Sequence, residues 1–147
     1  MKRFAFRLER VLEVRTNEER IAEGKLAARA AVCTRLQMAL EANARATVAA
    51  NHERFRKGGT ASDFLAGEHF MVRLSAEKEK LLRDLALAEA EREQARLSYV
   101  EASKKRELVT TLREREEAAY YRAVNLEEVK TLDDLASGAQ VRRQAGY

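Results

Sequence analysis

With 147 residues, the chain is the size of one domain. Charged residues reach 35%, aromatics only 6%, and Pro and Trp are absent, a balance that suits long helices and speaks against a sheet or a wide mixed core. The formal charge of +4 is unevenly spread, with 13 Lys/Arg and 7 Asp/Glu in residues 1–57 and 15 against 17 in the rest, so two helices of unlike charge are expected to pair.

The chain opens Met1-Lys2-Arg3-Phe4-Ala5-Phe6, basic and then apolar, but Arg7, Glu9 and Arg10 interrupt any apolar run. No export signal is expected there. From Phe4 to Lys57 only Gly24 disturbs helix formation, at about 1 kcal/mol, so a first helix is predicted over about 4–57. Gly58-Gly59 followed by Thr60-Ala61-Ser62-Asp63 is stop and start chemistry, which places a turn at 58–62. A second helix follows over about 63–136, with Gly67 near its start, and a flexible tail over 137–147. The expected fold is all-α: a single coiled-coil domain, built as a long antiparallel two-helix coiled-coil hairpin.

Apolar spacing agrees with a narrow seam. Ala22, Leu26, Cys33, Leu36 and Leu40 step by 4, 7, 3 and 4. Met71, Leu74, Leu81, Leu85, Ala88, Ala95, Tyr99 and Ala102 keep the same rhythm, with Lys78 and Arg92 at the skipped places. A turn near Thr60 makes partner positions add to about 121, so Cys33 is expected near Ala88 and Leu40 near Leu81. The second helix then overhangs beyond about Ala118, and an isolated helix is marginal in water. That overhang calls for a partner protein.

No catalytic constellation can be assembled. The phosphate loop and the dinucleotide fingerprint are both missing, and apart from Gly24 the glycines sit near helix ends; no enzyme activity and no cofactor are expected. His52 and His69 flank the turn beside Glu53 and Glu68, and a metal site there is outweighed by simple solvation. Cys33 cannot form an intramolecular disulfide, because no other cysteine is present, and reads as a small buried residue. Lys104-Lys105-Arg106 is bracketed by Glu101 and Glu107, which disfavours nucleic acid. No apolar run approaches the roughly 20 residues that span a bilayer.

The opening Phe4-Ala5-Phe6-Arg7-Leu8-Glu9-Arg10-Val11-Leu12-Glu13-Val14-Arg15 resembles the F-x-F-x-L-x-x-[VL]-L-x-x-R start of the bacterial flagellar FliJ family. Lys104-Lys105-Arg106-Glu107-Leu108, Leu112-Arg113-Glu114-Arg115 and Lys130-Thr131-Leu132-Asp133-Asp134 resemble its basic stretch and closing motif. The resemblance implies a cytoplasmic, non-enzymatic stalk and chaperone-escort protein of flagellar type III export, peripheral to the inner membrane through its partners. Those partners would be the export ATPase FliI hexamer, the export gate protein FlhA and export substrate chaperones. It points to Phe4, Phe6, Leu8, Leu12, Arg15, Lys105, Arg106, Lys130, Leu132 and Asp133 for the ATPase contact, and to Phe70 and Leu74 for the gate. Glu77 and Leu81 depart from the family's gate-facing pattern.

Three other readings remain open on the residues alone. One is the stalk of a virulence-type secretion system, a sibling of the same device. Another is a membrane-associated scaffold anchored by residues 1–15, and a more distant one is a nucleic-acid-binding helical hairpin.

Overall fold

In a computed structural model, which describes residues 3–146, two α-helices account for most of the chain: α1, Glu9–Arg54, and α2, Ala61–Gln144. They pair as an antiparallel helical hairpin, and no strand occurs among the described residues. Met1 and Lys2 of the basic opening, and Tyr147 of the tail, lie outside the described residues.

Each helix end has a local cause. Gly58 takes φ +90° just past α1, the left-handed conformation that glycine adopts without a Cβ penalty. Thr60 and Asp63 then form a reciprocal capping box: the Asp63 N–H donates to Thr60 Oγ1 at 3.2 Å and the Thr60 N–H donates to Asp63 Oδ2 at 2.9 Å. This sets the start of α2 at Ala61, two residues before the expected 63, because Asp63 closes the first turn and does not precede it.

The other ends differ more. Residues 3–6 are non-helical and α1 begins at Glu9, five residues later than the expected 4. Phe6 is buried and Phe4 half-buried there, so the segment is held by its two rings and not by helix hydrogen bonds. At the far end α2 runs through residues 137–144, where a tail was expected. No proline stops it, Gly138 costs only about 1 kcal/mol, and Arg142 and Arg143 complement the helix C-terminus. It ends before Gly146, at φ +76°.

Packing divides the chain into two units. One is Glu18–Ala102. Its seam follows the predicted rhythm: Cys33, Asn43, Ala50, Leu74 and Ala88 are buried, while Ala22, Leu26, Leu36, Leu40, Met71, Leu81, Leu85, Ala95, Tyr99 and Ala102 are half-buried. The Arg29 guanidinium meets Glu91 at 2.6 Å, Arg54 meets Glu68, and Asn43 Nδ2 donates to the Leu74 carbonyl at 3.0 Å. The numbers of these partners add to between 117 and 122, around the expected 121. In both ion pairs α1 supplies the cation and α2 the carboxylate, as the uneven charge of the two halves requires.

The second unit joins the chain up to Asn17 with everything from Ser103 on. Here the Phe4 ring lies 5.6 Å from the Tyr120 ring, Tyr120 meets Tyr121 edge-on at 5.5 Å, and Arg113 approaches Glu9 at 3.5 Å. The ion pair has the opposite sense, with the carboxylate on α1.

Candidate partner-binding surfaces

The paired ends come first. Phe6 is buried, and Phe4, Leu8, Leu12 and Arg15 are half-buried. Their apolar bodies are therefore spent on holding the N-terminal segment, and tilted packing of Phe4 on Tyr120 adds about 1 kcal/mol beyond area burial. Arg106 is half-buried, whereas Lys105 is exposed.

Lys130, Leu132 and Asp133 are not gathered with those residues. They lie on α2 ten or more residues past Tyr120, about 15 Å further along at the α-helical rise. Every described residue from 125 onward is exposed, so the partnerless stretch begins several residues later than the expected 118. It still carries Leu126, Val129, Leu132, Leu135 and Val141, each more than half exposed. Tyr120, Val124, Glu128, Thr131 and Leu132 line a shallow groove along it.

The pair expected to face the gate is split. Phe70 is 38% exposed, with the Arg73 guanidinium 5.5 Å from its ring centre. Leu74 is only 6% exposed and packs in the seam, where its carbonyl accepts from Asn43. Glu77 is exposed and Leu81 half-buried. Phe70 is thus the member of the pair that a partner can touch.

An aromatic cluster around the turn escaped sequence reasoning. Arg54 lies 4.7 Å from the Phe55 ring centre and 5.7 Å from that of Phe64, while pairing with Glu68. Gly67 faces the Arg54 stem, and a Cβ there would sit in ordinary contact 3.4 Å from Arg54 Cγ. The available signal was composition, since three of the five phenylalanines fall within residues 55–70 of an aromatic-poor chain. Ala46, Ala50, Gly67 and Phe70 border a groove beside this cluster.

Chemical groups are sparse. His52 and His69 are exposed, Cys33 is buried, and no group of three or more His, Cys, Asp or Glu among the described residues is placed to hold a metal. Asp63 has its carboxyl held below its ordinary value, first by the Thr60 backbone N–H and then by the Thr60 side chain; that is capping and not catalysis. No helix among the described residues is long and apolar enough to cross a membrane. What the surfaces offer is contact with other macromolecules: a long exposed helix, an aromatic turn and mixed charge.

A family model described as "Flagellar FliJ protein" matches residues 4–145. Comparisons with curated proteins and with solved structures find no match.

Proposed function

The chain belongs to the FliJ family and is a non-enzymatic component of the flagellar type III export apparatus, within which we propose that it serves as the stalk of the export ATPase and as an escort for substrate chaperones. In this reading the exposed part of α2 enters the FliI hexamer, and Phe70 faces the gate protein FlhA. The protein then works at the cytoplasmic face of the inner membrane and reaches it through those partners.

The observation that carries the reading is the run of exposed residues from 125 to 144. A helix with no partner is marginal in water, and this one keeps five large apolar side chains in solvent. Burial against a ring would recover about 25 cal/mol for each Å² of apolar surface covered. A shaft that binds the assembled hexamer better than separate subunits shifts the equilibrium toward the hexamer and raises ATP turnover without supplying a catalytic group.

The burial of Phe6 and the docking of Phe4 on Tyr120 weigh against the scaffold reading, since a buried ring and a ring packed on α2 are not available to a bilayer. The test is ATP turnover by the purified ATPase with and without the full chain, and with a chain ending at Lys130. Stimulation by the full chain that is mostly lost on truncation is expected. Equal stimulation by both removes the exposed segment from the ring, and no stimulation by either removes the stalk reading.

A further inference from the structure

Within the unit formed by the chain ends, α2 carries a second heptad stripe on the side away from α1. Leu108, Leu112, Arg115, Ala119, Arg122, Leu126 and Val129 step by 4, 3, 4, 3, 4 and 3, and all are exposed. Their side chains lie opposite the half-buried Arg106, Arg113, Tyr120 and Val124, which face inward. Leu108 is 73% exposed and Leu126 63%. Lys104, Glu107, Leu108, Leu112 and Arg115 line a shallow groove along it, so one carboxylate borders its edge.

Charge selects what can cover this stripe. Counting the stripe and its two flanking rows from Lys104 to Lys130, the charged residues are Lys104, Lys105, Arg115, Glu116, Arg122 and Lys130, five cations and one carboxylate. The chain's other carboxylates in this stretch, Glu107, Glu114, Glu117, Glu127 and Glu128, fall on other rows. A second copy would set cations against cations, which coiled-coil pairing rejects. A bilayer needs a continuous apolar strip, but Arg115, Ala119 and Arg122 occupy the middle of this one. A helix with apolar residues toward its ends and carboxylates in between matches both the spacing and the charge.

We infer that the outer face of α2 from Lys104 to Lys130 docks an acidic amphipathic α-helix of another protein, its carboxylates set against Arg115 and Arg122 and its apolar residues against Leu108, Leu112, Leu126 and Val129. The inference holds whether or not the ATPase ring supplies that helix.

The experiment places the photocrosslinker p-benzoylphenylalanine at position 112 or 126 of the full chain in its flagellated host and sequences the adducts by mass spectrometry. The expected adduct is a peptide from a different protein, net acidic and helical in pattern. The paired change R115E/R122E should cut its yield at least tenfold, R115K/R122K should keep it within about threefold, and both variants should retain the helix content of the parent. An acidic-helix adduct from a protein other than the ATPase upholds this inference and moves the ring off this face. Adducts to lipid, to this chain itself or to a basic or non-helical peptide overturn it, as do no adduct at all and a yield indifferent to R115E/R122E.

Discussion

Asn43 donates its side-chain amide to the main-chain carbonyl of Leu74 at 3.0 Å, and both residues are buried in the seam between α1 and α2. A polar group in an otherwise apolar seam fixes register at some cost in stability, because any other alignment leaves its amide unsatisfied. Asn43→Ala is expected to lower stability by about 1 kcal/mol in urea unfolding. Asn43→Leu should cost less, or stabilise, while loosening the register. The readout is a cysteine pair replacing Arg29 and Glu91, with Cys33 changed to serine: intramolecular crosslinking should fall with leucine at 43. Unchanged crosslinking would assign register to the rest of the seam.

Cys33 is 1% exposed, so its thiol should react with a disulfide reagent only when the hairpin opens. Native protein should label at a rate at least a hundredfold below that in denaturant, consistent with an opening cost above about 2.7 kcal/mol. Fast labelling of the folded chain would show that the seam opens locally at that layer.

The seam was legible because its period is written in the residues. Leu74, Leu81, Leu85 and Ala88 fall on one 3,4 rhythm, and the glycine pair fixes where it folds back, so register follows from counting. Leu74 also shows the limit: the sequence offered it both to the seam and to the gate, and one side chain cannot serve both. The seam takes it, since a leucine buried there is worth more than one left in water. The N-terminal segment departs from the helix that residue-by-residue propensity predicts, because propensity does not register that Phe4 has Tyr120 of α2 to dock on and that Phe6 is buried. The Phe55, Phe64 and Arg54 cluster joins residues across the turn, and no single-helix pattern contains it.

The capping box gives an acid dependence. The Asp63 carboxyl is held below its ordinary value of about 3.9, so the folded form favours its charged state. Its contribution is complete above that value and disappears as pH falls through the lowered one. Helix hydrogen-exchange protection at residues 61–66 should therefore weaken at the acid end in the parent, and be reduced and less pH-dependent there in Asp63→Asn. Thr60→Ala should cost about 1 kcal/mol at neutral pH. A parent whose first turn is equally protected on both sides of this window would contradict the assignment.

Phe6 anchors the N-terminal segment, being 7% exposed two residues after Phe4, whose ring packs on Tyr120. Phe6→Ala is expected to cost about 3 kcal/mol locally, at the low end for a buried aromatic because the core is thin. Hydrogen exchange should speed at residues 6–12 and around Tyr120, with residues 30–50 unchanged. Acceleration throughout α1 would mean that the segment supports the whole hairpin.

The division of labour along α2 is tested by three substitutions that differ in burial. Leu132→Ser changes a side chain that is 65% exposed, so it should leave thermal unfolding unchanged while reducing ATPase stimulation several-fold. Phe70→Ala removes a partly exposed ring under Arg73 and should do the reverse, sparing stimulation and weakening both gate binding and secretion. Leu74→Ala is the control that separates contact from architecture: a buried seam leucine costs about 2 kcal/mol or more when truncated, so any loss of gate binding should track lost stability and recover at lower temperature. If Leu74→Ala abolishes gate binding with an unchanged melting temperature, the leucine touches the gate directly and must leave the seam to do so. If Phe70→Ala and Leu132→Ser exchange phenotypes, the turn-proximal part of α2 meets the ring and the exposed part beyond residue 125 meets the gate.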